Sequence, residues 1–268
     1  MSSATLEKWV VCRRERPDAS VRLFCAPWAG GSATSFNKWP ARLPEAIELH
    51  ALQLPGRMSR SKEECLTSLP EIVERAAEAL IAKGLLDKPF AMFGHSFGSL
   101  VMFELARKLA EIAGKAPLCL IVSGCRPPDM CAGTGLPPAV SQLPRDALVD
   151  HLVILGGMPA ELRDQTELVD HFLPPIRADY TAFENYKYEP RAGDDDCPPI
   201  SCPLVGLGGE EDSGAPRSDL DHWASFTTGE FRLKMFDGGH FFLQGKGEPA
   251  VVEFLSGVLA PLYQAENA

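Results

Sequence analysis

The sequence predicts an α/β protein with a mostly parallel central sheet flanked by helices. Short apolar runs alternate with amphipathic helical stretches over most of the chain, as they do where helices connect parallel strands. The runs are mostly continuous in their apolar character, which suits strands covered on both faces. With 268 residues, 45% hydrophobic and 23% charged, the chain can bury a large core and is neither disordered nor fibrous. A single domain over 1–268 is expected.

The elements follow in order. Val21-Arg22-Leu23-Phe24-Cys25 is a strand that stops before Pro27, and Gly30-Gly31-Ser32 is a loop before a weakly helical stretch to Trp39. Ile47 to Leu52 alternates with period two, as a half-buried strand does, and Pro55-Gly56 ends it. Ser68-Leu69-Pro70-Glu71 has capping-box spacing; Leu69, Ile72, Val73, Ala76, Leu80 and Ile81 follow at helical spacing, with Gly84 as a stop. A strand at Phe90–Phe93 leads through a glycine-bounded turn into a helix from about Phe97 to Ile112. Leu118 to Ser123 is a further buried strand. The pattern resumes with a strand at Leu204–Leu207, a helical stretch around Trp223, a strand at Phe231–Phe236 and a last helix from Pro249 to about Leu259. Between them, 127–190 reads as several short helices broken by Pro-Pro and Gly-Gly pairs, an insertion between two strands of one sheet. Asp194 to Pro199 looks like a polar surface loop.

Charge and composition narrow the function. The net charge of −10 disfavours broad binding to nucleic acid or an anionic membrane. No apolar run approaches the roughly 18–20 residues that cross a bilayer, and the first residues do not form a secretory signal. Eight cysteines lie scattered without CxxC or Cys/His pairing. Reduced thiols in the cytoplasm are expected, and a zinc site is not.

One constellation carries chemistry. Gly94-His95-Ser96-Phe97-Gly98 matches G-x-S-x-G, follows a predicted strand and opens a predicted helix, the setting of a nucleophile elbow. Small neighbours let backbones pass close to a strained turn, and the helix N-terminus favours developing negative charge. A serine hydroxyl needs a base. Of the four histidines after Ser96, only His240 lies just past a late strand, in Asp237-Gly238-Gly239-His240-Phe241-Phe242. The acid should end the preceding strand, where Glu210, Glu211 and Asp212 compete. Asp212 is preferred because a short side chain beyond a Gly-Gly turn can be held rigidly against an imidazole. Oxyanion donors are expected from the N–H of Phe97 and, in Pro27-Trp28-Ala29-Gly30-Gly31, of Ala29. Arg57 and Arg60 read either as a basic spot or as a solvated loop. Tyr180, Phe183 and Tyr186 recur at helical spacing, for which core packing is preferred over lining a substrate tunnel.

Together these residues resemble a family: the type II (editing) thioesterases of polyketide and nonribosomal peptide synthesis, related to the chain-releasing thioesterases of fatty acid synthesis. The matching segments are Phe24-Cys25-Ala26-Pro27-Trp28-Ala29-Gly30-Gly31, Leu54-Pro55-Gly56-Arg57 with Arg60, the elbow, Gly238-Gly239-His240-Phe241-Phe242, and Arg177-Ala178-Asp179-Tyr180. The resemblance implies an α/β-hydrolase fold with a helical lid at about 127–190. It implies a Ser96, Asp212 and His240 triad that cleaves acyl groups from the phosphopantetheine arm of an acyl or peptidyl carrier protein. No metal or cofactor of the enzyme's own is implied. Trp28 stands where the family usually has histidine, so an altered acyl or pantetheine pose is expected there. Trp28, Arg57, Arg60, Asp179 and Tyr180 are the expected substrate- or carrier-binding residues. Because carriers of these pathways tend to be acidic, docking on a chain of net −10 is expected to use local cations such as Arg57 and Arg60, with an apolar contact from the lid. Release of medium-chain fatty acyl groups from a carrier, and hydrolysis of oxygen esters by a carboxylesterase or lipase, are the alternatives.

Overall fold

The computed structural model describes residues 6–131, 139–190 and 199–264. Seven strands form one sheet: β1 (Val10–Cys12), β2 (Val21–Ala26), β3 (Ile47–Leu52), β4 (Phe90–His95), β5 (Leu120–Ser123), β6 (Leu204–Gly209) and β7 (Phe231–Phe236). Their order is β1-β3-β2-β4-β5-β6-β7. Only β1 runs antiparallel to its neighbour, β3; the other pairs are parallel.

Alternate residues of each central strand supply different layers. Phe24, Met92, Leu120 and Leu204 join the cluster beneath helices α1 (Leu69–Ala82) and α2 (Phe97–Ala113). Leu23, Phe93, Ile121 and Val205 join the opposite cluster. This is the two-sided burial that continuous apolar strands require. At α1, the Ser68 hydroxyl accepts the Glu71 N–H at 3.4 Å, while the Glu71 carboxylate pairs with Arg75, so the capping box is half formed.

β1 has no counterpart in the sequence reading; three residues are too few to show a period. A correction is needed at β3, where the alternating pattern predicts one wet face and all six residues are buried. The buried Glu48 carboxylate accepts the Arg16 N–H at 2.8 Å and Arg22 Nε at 3.3 Å, and lies 2.7 Å from His50 Nε2. Polar residues thus occupy a covered face because their partners came with them.

Between β5 and β6 lie a single turn at Pro128–Cys131, α3 (Arg145–Leu155) and α4 (Thr166–Glu184). Leu148, Val149, Leu152, Val169 and Leu173 give these helices a small apolar cluster of their own. Pro174 and Pro175 sit inside α4, which explains why the sequence reads as broken there. The last helix, α5 (Glu248–Gln264), packs Val251, Val252, Leu255 and Leu259 into the second layer. Asp194 to Pro198 of the expected polar loop, and Cys197, lie outside the described residues.

Candidate active site

The site begins where β4 turns into α2. Ser96 has φ 53° and ψ −122°, a conformation that costs a non-glycine residue on the order of 1–3 kcal/mol and persists only where surroundings enforce it. They do so here. The Ser96 N–H donates to Ser123 O at 2.7 Å, and Ser96 O accepts the Ser99 N–H at 2.8 Å. Ser99 Oγ donates toward Gly94 O and Ser123 O and accepts the Ser123 N–H. A Cβ at Gly94 would run into Gly98 O and Ser99 N, and one at Gly98 would sit 2.6 Å from Pro27 O. Both elbow glycines are therefore required by close backbone approach, not by a positive φ.

Asp212 and His240 arrive from the ends of β6 and β7. At Gly209 a Cβ would sit 2.5 Å from Gly238 O, so the two strand ends touch through glycine. Across that contact Asp212 Oδ2 lies 2.7 Å from His240 Nδ1. Asp212 Oδ1 accepts the Gly214 N–H at 3.0 Å, which fixes the carboxylate. Glu210 and Glu211 are exposed and Asp212 is buried, so the geometry favours the shortest of the three acids.

Ser96, His240 and Ala29 line one cavity of about 250 Å³. Trp28 and Phe241 add to its wall, as do Leu152 and Leu155 of α3 and Phe172, Ile176 and Tyr180 of α4. Ala29 belongs to a turn closed by the Gly31 N–H to Trp28 O at 2.8 Å. Gly30, its third residue, has φ +77°, the arrangement of a type II turn. Phe97 is the first residue of α2, so its N–H is one of the free donors of a helix start.

His95 escaped the sequence reading, although it is the first of the two variable residues of G-x-S-x-G. It is fully buried, 2.9 Å from Ser123 Oγ through Nδ1 and 5.0 Å from the His240 ring between centroids. Burial, and then the proximity of His240, push its pKa well down. Burial and His240 also lower that of His151, whose Nε2 lies 3.1 Å from Tyr180 Oη. The Tyr180 hydroxyl is pushed up to about 12, chiefly by burial.

A family model described as a thioesterase domain matches residues 21–259. The chain belongs to the thioesterase family. GrsT, a gramicidin S biosynthesis protein of Aneurinibacillus migulanus, is 36% identical over 254 residues, 93% of each chain. The human medium-chain S-acyl fatty acid synthase thioesterase is 33% identical over 235 residues, 87% of this chain and 84% of that one. The type II thioesterase BorB, from the borrelidin biosynthetic cluster, superposes with a TM-score of 0.81 at 32% identity, covering 93% of this chain and 96% of BorB. The fold is thus that of the α/β-hydrolases, and the chain is a thioester hydrolase of the type II group, related to the thioesterases of fatty acid synthesis.

Other expected site residues of this thioesterase fall into two groups. Trp28 and Tyr180 face the cavity. Phe183 and Tyr186 pack instead, and Tyr186 Oη donates to Glu104 at 2.7 Å. Arg57 and Arg60 are not the exposed basic spot expected. Both are buried, Arg57 against Asp179 and Arg60 against Glu63, Gln53 O and the face of Trp9. A short loop of polar residues looks solvated in sequence, and only the tertiary partners reveal otherwise. Asp179, on α4, is fully buried and does not line the cavity.

Among the described residues, Cys12, Glu48 and His50 have ligand atoms close enough to share a metal ion. The Glu48 carboxylate is already engaged by Arg22 and by the Arg16 N–H, and a guanidinium at that distance repels a cation.

Proposed function

We propose that this enzyme hydrolyses short acyl groups held as thioesters on the phosphopantetheine arm of an acyl or peptidyl carrier domain, an editing role in a polyketide or nonribosomal peptide synthase. The observation that carries the reading is a strained serine and an Asp-supported histidine opening on one small apolar cavity that α3 and α4 help to line. In this reading Ser96 Oγ attacks the thioester carbonyl while His240 accepts its proton. Asp212 holds the His240 Nδ1–H and stabilises the imidazolium. The N–H groups of Ala29 and Phe97 take the oxyanion, a contribution on the order of 10²–10³ in rate for one donor. His240 returns the proton to the departing pantetheine sulfur, then activates the water that clears the acyl-enzyme. No step uses a metal or a cofactor other than the partner's arm.

The cavity volume bears on the substrate. About 250 Å³ is below the ~300–1,000 Å³ of usual ligand pockets, which suits a short acyl group better than a medium fatty chain. For the carrier, the lid exposes Ile154, Leu168 and Phe172, an apolar contact that would serve docking without help from Arg57 or Arg60. We take the chain as one catalytic domain whose lid spans about 127–190, working in the cytoplasm beside its synthase. The seven described cysteines are free, in keeping with that compartment.

A hydrolysis panel on carrier-bound acyl groups, from acetyl to long chain, tests this. The reading predicts that kcat/KM falls as the chain lengthens. A maximum at medium length would replace it with fatty-acyl release, and faster cleavage of the matching oxygen ester would replace it with an esterase.

A further inference from the structure

Lid helix α4 meets the turn that carries Ala29 at two points, one helical turn apart. At Ile176, the helix fills the space a Cβ on Gly30 would need. At Asp179, carboxylate Oδ2 accepts the Gly30 N–H at 2.7 Å. The same carboxylate takes both terminal nitrogens of Arg57, Nη1 at 2.5 Å and Nη2 at 2.8 Å. Arg57 Nη1 also donates to Gly31 O at 3.1 Å, and Nε to Pro55 O at 3.2 Å. Arg57 is 5% exposed and Asp179 not at all. Burial alone would weaken the guanidinium's hold on its proton, but Asp179 beside it reverses this and raises the Arg57 pKa.

This ion pair is costly to bury, and it touches neither the cavity nor solvent. What it touches is the backbone on both sides of the Gly30 peptide. In a type II turn the central peptide, here Ala29–Gly30, is rotated about half a turn from its type I orientation. A return to that orientation would swing the Gly30 N–H off Asp179 and leave a buried donor unpaired. The Ala29 N–H lies in the adjoining peptide and shares the Ala29 Cα with it. Its direction follows from how the central peptide is held.

We propose that Asp179 is a positioning residue for catalysis: by accepting the Gly30 N–H it sets the turn in which Ala29 offers its N–H to the oxyanion. Arg57 neutralises that carboxylate, so that no net negative charge stands close to the developing one. The inference rests on the reading of Ser96 as nucleophile and Ala29 as oxyanion donor. It replaces the expected substrate- or carrier-binding role of Arg57 and Asp179.

Two double variants isolate the acceptor, because both remove the ion pair together and leave no unpaired charge. Arg57→Met with Asp179→Asn keeps an oxygen for the Gly30 N–H, and Arg57→Met with Asp179→Leu removes it. The prediction is that the Leu variant has a kcat at least tenfold below the Asn variant, with KM values within threefold of each other. Affinity for an acyl trifluoromethyl ketone, which forms a tetrahedral oxyanion on Ser96, should fall in parallel with kcat. Affinity for the unreactive amide analogue of the substrate should stay level. A kcat gap under tenfold, or a loss confined to KM and amide binding, overturns the inference. Melting curves establish that both variants fold. Should the Leu variant not fold, replacing the Gly30 amide by an ester removes only the N–H and leaves both side chains in place. The same tenfold threshold in kcat then decides. If Ser96→Ala retains turnover in the otherwise unaltered enzyme, the reading of the nucleophile has failed, which is a separate result from equal double variants in a Ser96-dependent enzyme.

Discussion

Gly98→Ala is the most informative single change, because it adds one methyl group where three backbone segments meet. The added Cβ would sit 2.6 Å from Pro27 O and 2.7 Å from Ala26 C, and closer still to Ala26 O, whereas real Cβ contacts essentially never fall below 3.0 Å. The obstacles are main-chain atoms on a central strand and the turn after it, so no side chain can swing aside. At least 0.4 Å of movement away from Pro27 O is needed, and more from Ala26 O. Overpacking of this kind typically costs 1–3 kcal/mol, partly offset by the roughly 1 kcal/mol that alanine gains over glycine within a helix. The displaced segment leads directly into the turn that carries Ala29. Since a misplacement of about 1 Å can cost on the order of 10² in rate, kcat should fall at least tenfold. Gly257→Ala is the control: this helical glycine has open space at its Cβ position. It should raise stability by up to about 1 kcal/mol and leave kcat unchanged. Urea unfolding and turnover of a short acyl-pantetheine thioester measure both. If Gly98→Ala unfolds and turns over like the unaltered enzyme, close approach does not govern the elbow and the packing argument is wrong.

Further outcomes follow from the same site. Ser96→Gly should remove turnover while increasing stability by about 1–3 kcal/mol, because glycine tolerates φ 53° without strain; a less stable variant in urea would contradict a strained elbow. Trp28 borders both the acyl cavity and a neighbouring groove of about 420 Å³ that Lys38 and Gln244 help to line. Trp28→His should therefore flatten the chain-length profile and raise relative activity on longer acyl groups, and an unaltered profile would remove Trp28 from specificity. His95 is held neutral in the folded state, so below its unfolded pKa near 6.5 the unfolded chain binds a proton that the folded chain refuses. Stability should then fall as pH drops from 6.5 to 5. This group adds up to about 1.4 kcal/mol per pH unit to that slope, part of which His95→Asn should abolish. His50 and His151, also lowered mainly by burial, add to the same slope and persist in that variant. Equal slopes by urea unfolding would show that His95 is not buried as a neutral ring.

Much of this architecture was legible from patterns that depend only on local periodicity. The central strands are continuous apolar runs, and α1 and α2 carry clear spacing and stops, so their places follow from burial alone. The elbow was legible for another reason, since Gly94 and Gly98 stand at close backbone approaches that only glycine permits, and His240 was legible from its place just past a late strand. What escaped depends on partners distant in sequence. Arg57 reads as a surface charge until α4 delivers Asp179 from 122 residues away. Glu48 and His50 read as a wet face until Arg16 and Arg22 surround them. His95 hides inside a motif whose regular expression leaves its position free. Pro174 and Pro175 announce a break, yet the helix runs through them, because the neighbouring apolar cluster of α3 and α4 outweighs the lost bonds.

The central claim, that Ser96 carries the acyl group in a covalent intermediate, is tested most directly by intact-mass and peptide mass spectrometry on enzyme quenched milliseconds after mixing with an acyl-pantetheine thioester. The account predicts an acyl-sized increment on the peptide containing Ser96, absent in Ser96→Ala. Continued turnover by Ser96→Ala, or an increment on any other residue, would contradict it.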